Sequence, residues 1–399
     1  MQSHSEIFSS FGSLDVPSPS MAAGEQRRPV IHVLDGVLLG KQYLWGKEQV
    51  VSNLIHEQKQ SPRFAPQLAV FSPCLLSELI EADGFPVVIL HDGKFGAPWR
   101  ALHTLMRHLK SNPAAILHTH GYKANVVGRM ARSLGAPMTG IVSTSHGFDN
   151  SATRLKFYNA IDRWSSPASD VVTMPDETML AAFPHAANAK FIPNAIPDIP
   201  LPNAIERAKA RAYFGWTESD FVAGAMGRLS AEKGIPEFIE AALSTRAPLR
   251  WAAAGVGPLQ ADIERCDPAR IQVVGYVSPS DDYIAAIDVY VQSSRGEGLS
   301  LSLLQAMRAA KPIVATRVNA TELAVRDGID GLLVEPRSAS ALAEGVERVR
   351  ADREFAQRLG ASARARFLET FRIERQAEAY DELYSRVCAA HDRSETGKS

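Results

Sequence analysis

From residue 29 onward the chain alternates short β-branched runs with helical stretches, and it passes through that alternation twice. The first set is "PVIHVLD", "QLAVFS", "FPVVILH", "AAILHTH", "MTGIVSTSH", "DVVTMP" and "KFIPNAI". The second is "DFVAGAMG", "LRWAAAGVG", "RIQVVGYV", "IDVYVQSS", "KPIVATRV" and "GLLVEP". Strands separated by helices pair in parallel, with the crossovers covering both faces of the sheet. Between the two sets lies "PDIPLPNAI", residues 197–205, whose three prolines and lack of periodicity read as a linker. The pattern predicts an α/β chain of two Rossmann-like, doubly wound parallel-sheet domains that face each other across a cleft.

The first domain is expected over residues 29–196 and the second over 206–370, the latter opening on a helix at 206–214. A last helical segment, 371–390, is expected to pack back toward the first domain. Residues 1–28 are rich in serine and small side chains and lack the apolar core of a secretory signal, so they read as a disordered tail, as do 391–399. With 399 residues, 45% of them apolar and 22% charged, the chain can bury a core in each domain. A net charge of −1 excludes a generally basic nucleic-acid binder. No apolar run reaches the ~18 residues of a spanning helix. Cys74, Cys266 and Cys388 lie far apart without metal-ligand spacing, which favours a reducing cytoplasmic setting.

Ligands of open α/β sheets bind beyond the carboxyl ends of the strands, and the polar residues collect there. "DFVAGAMG" empties into "GRLSAEKG", residues 227–234, which places Arg228 and Lys233 on one short loop that starts at Gly227. A forked guanidinium and an ammonium suit a diphosphate, and a solvated loop with a capping arginine accounts for them equally well. In "RGEGLSLSLLQAM", residues 295–307, a glycine-flanked turn leads into a helix expected from Leu299 to Ala309. Free amides of Gly298, Leu299, Ser300 and Leu301 suit a phosphate. Glu297, itself an anion, must then serve another part of the same ligand, and Gln305 lies two turns inside the helix within reach of ribose hydroxyls. A nucleotide-sugar fits that combination; an acidic helix start followed by an ordinary polar position is the plainer alternative.

In the first half, two strands expected to lie side by side end in His-Gly pairs, His120-Gly121 and His146-Gly147. His118 and His120 share a strand face, but no cysteine or carboxylate nearby completes a metal site. Asp281 and Asp282 open a helix, where acidic residues complement the dipole, so capping accounts for them better than Mg²⁺. The loop after the first strand, with Gly36, Gly40 and Gly46, carries no dinucleotide fingerprint. "APWRALHTLMRHLK" reads as a helix burying Leu102, Leu105, Met106 and Leu109, with Arg100, His103, Arg107 and Lys110 along another stripe. That stripe suits either solvent or anionic lipid headgroups.

Taken in order, these pieces resemble the retaining GT-B glycosyltransferases, specifically the "glycosyl transferases group one" family (family four of the sequence classification). The resemblance covers about residues 29–386 and rests on "ILHTHG", "STSHGF", "IPNAI", "GRLSAEKG", "GVGPL", "VVGYV", "GEGLSLSLLQAM", "KPIVAT", "ELAVRDGIDGLLVEP" and "AYDELYSRV". It implies a metal-independent, retaining transfer of a hexose from a nucleotide-diphosphate sugar to a glycan or lipid-linked acceptor, in polysaccharide or lipopolysaccharide biosynthesis, without a cofactor. By that resemblance Arg228 and Lys233 hold the diphosphate, Glu297 contacts the sugar near the reacting carbon, and His146 reaches the sugar from the opposite domain. Gly46 in "WGKEQVV" lets backbone approach the diphosphate, and backbone around Val277 reads the base. The acceptor side falls to the first domain, with His120, Arg100 and Arg107 as candidates. A place in the cytoplasm, at the inner face of the membrane, follows from the same likeness. Where the family's motif carries a second acid this chain has Gln305, which keeps open a catalytically silent nucleotide-sugar-binding or partner protein. A nucleotide-sugar epimerase of the same architecture is the enzymatic alternative.

Overall fold

The computed structural model describes residues 27–35, 43–91, 98–147, 153–183, 188–245 and 249–396. The first half runs β1 (Arg28–Leu34), α1 (Gly46–Gln58), β2 (Phe64–Val70), α2 (Leu75–Ala82), β3 (Val87–Ile89), α3 (Pro98–Ser111), β4 (Ile116–His120), α4 (Tyr122–Ser133), β5 (Gly140–Thr144), α5 (Thr153–Ser165), β6 (Val171–Met174) and β7 (Ala189–Phe191). The second runs α6 (Ala204–Tyr213), β8 (Phe221–Met226), α7 (Ile235–Ser244), β9 (Leu249–Ala254), α8 (Gln260–Glu264), β10 (Ile271–Gly275), α9 (Ser280–Ala286), β11 (Val289–Gln292), α10 (Leu301–Arg308), β12 (Ile313–Thr316), α11 (Asn319–Ala324) and β13 (Leu332–Val334). Three further helices follow: α12 (Ala339–Ala351), α13 (Arg353–Thr370) and α14 (Ile373–Thr396).

Each half forms one parallel sheet. The first has seven strands in the order β3-β2-β1-β4-β5-β6-β7 and the second six in the order β10-β9-β8-β11-β12-β13. Helices cover both faces, which is why the strands read as near-continuous apolar runs; Val30, Ile31, Val33 and Leu34 of β1 are all fully buried. In each sheet the order reverses once, between β1 and β4 and between β8 and β11. Loops leaving the strands on either side of such a reversal diverge and open a crevice at the carboxyl ends. Both crevices meet in the cleft between the two halves.

The chain crosses between the halves at Ile196 and returns at Phe371–Ile373, and the two crossings bond to each other. The Ile196 amide donates to the Phe371 carbonyl at 3.1 Å and the Ile373 amide donates to Ile196 at 3.1 Å. After the return, α14 lies on the first sheet, where Tyr380, Leu383, Tyr384 and Val387 pack with Val30, Phe64, Ile116 and Val142. This helix continues to Thr396, beyond the 390 expected, and a His391–Glu395 pair at 3.4 Å spans its last turn. Helix α6 starts inside the expected linker because Asn203 caps it, accepting from the amides of Ile205 and Glu206 at 2.9 and 3.0 Å. Of the expected leading tail, residues up to 26 lie outside the described residues, as do Gly36 and Gly40.

Candidate active site

On the second domain, β8 ends at Met226 and the 227–234 loop turns across the sheet edge to α7. The loop closes on Gly234, whose φ is +68° and where a Cβ would lie 1.8 Å from the carbonyl oxygen of Ser293. Only glycine lets the loop's end sit against the end of β11. Ser293 reinforces the contact, its hydroxyl donating to the Lys233 carbonyl at 2.8 Å. Gly257 of the neighbouring turn is pressed in the same way, with a Cβ position 2.3 Å from the Leu229 carbonyl. The cation-bearing loop is thus fixed by backbone contacts on both sides.

The turn after β11 brings Glu297 to that loop. Its carboxylate pairs with Lys233 and accepts from the Ser294 hydroxyl at 3.0 Å. The sequence assigned Lys233 and Glu297 to different parts of a ligand; the fold makes them partners. Arg228 by contrast is half-exposed, and its nearest carboxylate, Glu232, is 4.0 Å away. Helix α10 starts at Leu301 rather than Leu299, because the Leu299 side chain is buried and its carbonyl accepts from Asn194 of the first domain at 2.9 Å. Ser300 takes the cap position and the Leu304 amide is the first to bond back, to Ser300 at 3.2 Å. Among the described residues the helix's own free amides are those of Leu301, Ser302 and Leu303, while Gly298, Leu299 and Ser300 precede the helix and line the cleft. Gln305 is in place one turn further on, its amide donating to Ser280 at 2.8 Å. Asp281 and Asp282 stand in the first turn of α9, as expected, without a side-chain cap bond, and the Asp281 carboxylate also pairs with Arg308.

The first domain answers from across the cleft. Helix α1 opens at Gly46, where a Cβ would meet nothing within 4 Å. Its first turn is closed by the Trp45 amide donating to Glu48 at 3.0 Å. Lys47 pairs with Asp35 at the end of β1. His146 follows β5, and its carbonyl lies 3.9 Å from the Cβ position of Gly298. Tyr43 packs on Tyr276 with ring centroids 4.3 Å apart, a second bridge between the domains. The resulting cleft, about 690 Å³, is lined by Gly46, His146, Gly227, Arg228, Lys233, Val277, Glu297, Gly298, Leu299, Ser300, Leu301 and Gln305. Every residue the sequence assigned to the donor meets here, together with His146. Asn194, Lys47, Tyr276 and Arg308, which the sequence did not single out, stand with them.

The acceptor candidates fare differently. Arg100 and Arg107 are exposed on α3 and do not line the cleft. His120 is buried, so it touches no ligand directly; its Nδ1 lies 3.2 Å from Nε2 of His146. His146 keeps some exposure to the cleft but protein surrounds the rest of the ring. Burial, helped by the Lys47 charge, lowers its pKa to about 3, and burial also holds His120 well below the ordinary histidine range. His32, His118 and His120 gather behind the site with ring nitrogens within 4.8 Å of one another. Each is already engaged: His32 with His120 and Gln58 at 3.0 and 2.9 Å, His118 with Tyr384 and Thr144 at 2.6 and 2.7 Å.

Residues 46–198 match the family described as Glycosyltransferase Family 4, and residues 220–352 match Glycosyl transferases group 1. The chain is 24% identical over 307 residues to the UDP-Gal:alpha-D-GlcNAc-diphosphoundecaprenol alpha-1,3-galactosyltransferase of Escherichia coli, covering 71% of this chain and 79% of that protein. It is 28% identical over 186 residues to the lipopolysaccharide core biosynthesis glycosyltransferase LpsE of Rhizobium meliloti (strain 1021), 45% of this chain and 53% of that one. The fold superposes on Anabaena Alr3699/HepE in complex with UDP-glucose with a TM-score of 0.78 and 18% identity, covering 90% of this chain and 99% of the other. With two parallel-sheet domains, a shared cleft and both family matches falling on them, the chain belongs to the group 1 glycosyltransferases and has the GT-B architecture.

Proposed function

We propose that the protein moves a hexose from a nucleoside-diphosphate sugar to a glycan or lipid-linked acceptor, with retention of anomeric configuration and with no metal held by the protein. The observation that carries this reading is the convergence of Arg228, Lys233 and the free amides at the start of α10 on one wall of the cleft, opposite the start of α1. Those groups lie where a departing diphosphate accumulates charge, and preorganised donors there stabilise it without reorganising.

In the proposed step the bond from the anomeric carbon to the diphosphate oxygen breaks, and the acceptor hydroxyl oxygen bonds to that carbon from the same face. The acceptor's proton passes to the departing phosphate oxygen. Arg228 and Lys233 neutralise that oxygen's neighbours. A diphosphate that draws on Lys233 loosens the Lys233–Glu297 pair, which frees Glu297 to accept from sugar hydroxyls. His146, neutral at pH 7, contributes a hydrogen bond rather than a charge. Gln305 meets the ribose as a neutral amide. The loss of a charge-assisted bond there weakens nucleotide binding by about tenfold.

The names of the relatives support a uridine nucleotide and a place in polysaccharide or lipopolysaccharide assembly. A lipid-linked acceptor would bring the protein to an anionic membrane face, and among the described residues no helix is long and apolar enough to cross a membrane. Calorimetric titration with UDP, GDP and ADP in chelator, repeated with Arg228→Ala, tests the donor site. One nucleotide should bind and lose its heat in the variant; a folded protein that binds none, with or without sugar attached, refutes it. Retention is read separately by proton NMR of the first sugar released from an α-linked donor, where a β-anomer overturns it.

A further inference from the structure

Behind His146 a line of side chains runs through the first sheet, from the cleft to the C-terminal helix. His146 Nε2 lies 3.2 Å from His120 Nδ1, His120 Nε2 lies 3.0 Å from His32 Nδ1, and His32 Nε2 lies 2.9 Å from Gln58 Oε1. His32, His120 and Gln58 are buried. Two neutral imidazoles that meet nitrogen to nitrogen need one donor and one acceptor. Each ring here uses both nitrogens in the line except His146, whose Nδ1 has no partner among the described residues. The three rings must therefore all point the same way, and whichever group ends the line sets the direction for all of them.

Gln58 ends it, and its own orientation is decided by what lies beyond. Asp381 of α14 is buried there, held by the Ser61 hydroxyl. Burial pushes its carboxyl up, opposed first by the Ser61 hydroxyl, and its Oδ1 and the Gln58 Nε2 are both buried with no hydrogen-bond partner among the described residues. The Gln58 amide oxygen is the end that faces His32, and that orientation leaves the orphaned amide nitrogen as a donor for the orphaned Asp381 oxygen. His32 must then carry its proton on Nε2, and so must His120 and His146. This leaves a bare lone pair on His146 Nδ1.

We propose that Gln58, oriented by Asp381, is a positioning residue that fixes the tautomer of His146 through His32 and His120, so that His146 meets the cleft as a hydrogen-bond acceptor. Resting on the donor reading above, this implies a sugar that presents a hydroxyl to His146. It disfavours one that presents a carboxylate, which would set two acceptors against each other.

The test reads the tautomer without any ligand. Protein labelled with ¹⁵N-histidine is examined at pH 7, and the His146 ring is assigned from the signals lost in His146→Phe. The expected result is a pyrrole-type Nε2 and a pyridine-type Nδ1. A protonated ring, or the opposite tautomer, overturns the proposal. In Asp381→Asn, where Gln58 is free to turn over, the opposite tautomer of His146 should become populated. Unchanged ring signals in this volume-conserving variant remove Gln58 and Asp381 as the determinant. Zinc alone must leave the signals in place; a shift of His32, His118 and His120 together would make the cluster a metal site. A second reading uses the nucleotide-sugar that binds: Asp381→Asn should bind it about threefold to tenfold more weakly, with affinity for the bare nucleotide unchanged. Failure of every nucleotide to bind would refute the donor reading while leaving the tautomer result to stand or fall alone.

Discussion

Gly234→Ala tests whether the cation-bearing loop is held by backbone fit. At φ +68° an alanine pays the left-handed penalty, about 1–2 kcal/mol. Its Cβ would also stand 1.8 Å from the Ser293 carbonyl oxygen, well inside the 3.4 Å at which ordinary contact begins. No side chain can turn aside to relieve that clash, so the loop or the end of β11 must move, at roughly 1–3 kcal/mol. The sum is about 2–5 kcal/mol of lost stability, read as a lower urea midpoint at unchanged slope. The displacement also carries Lys233 away from Glu297, and nucleotide affinity should fall at least about tenfold in the folded fraction. Gly46→Ala is the control: its methyl enters open space at the start of α1, and stability should hold or rise by about 0.5–1 kcal/mol. If backbone there approaches the diphosphate, this second variant loses affinity without losing stability. A Gly234→Ala protein within about 1 kcal/mol of the parent and binding nucleotide normally would refute the reasoning.

Two further outcomes follow from the same geometry. Burial lowers the Lys311 pKa from 10.5 to about 7, while its ammonium donates to the carbonyls of Ala285 and Ile287 at 2.9 and 2.8 Å. Between those two pH values the unfolded chain binds more protons than the folded one, so stability should rise with pH across that window. In Lys311→Met that rise should be absent from urea melts; an equal rise in both proteins would show that Lys311 does not titrate as described. On α3, Arg100, His103, Arg107 and Lys110 are exposed while Leu102, Leu105 and Leu109 are buried. Sedimentation with anionic vesicles should exceed that with neutral ones and fall on Arg100→Glu with Arg107→Glu; equal pelleting rules out an electrostatic membrane contact.

Much of this molecule could be read before its coordinates. Each β-branched run overlaps an observed strand, because a sheet covered on both faces demands continuous apolar stretches whatever the tertiary context. Glycine-flanked loops at strand ends located the cleft, since both sheets reverse their order there. What escaped was pairing across sequence distance. Lys233 and Glu297 are 64 residues apart, and nothing local says that one neutralises the other. His32 sits in "PVIHVLD" as one polar letter in a strand. Gln58, 26 residues later, is a polar position on a helix until α14 folds over it. The start of α10 was misplaced because burial of Leu299 and the demand of Asn194 for a carbonyl, both tertiary effects, outweighed local propensity.

The pattern of pairing also explains why Arg228 should matter more than its exposure suggests. Lys47, Lys233 and Arg308 all line the cleft, and each already holds a carboxylate: Asp35, Glu297 and Asp281. Such pairs fix the side chains in place, and an arriving anion must share or displace the partner to use the cation. Arg228 is 51% exposed and 4.0 Å from Glu232, a contact of little worth in solvent. Its guanidinium can form two bonds to phosphate with almost nothing to give up, so its net contribution approaches its gross one. Lys233 returns only the difference between a phosphate and Glu297. Removing Arg228 should therefore cost more binding than removing Lys233, although Lys233 makes the shorter contact in the ligand-free cleft.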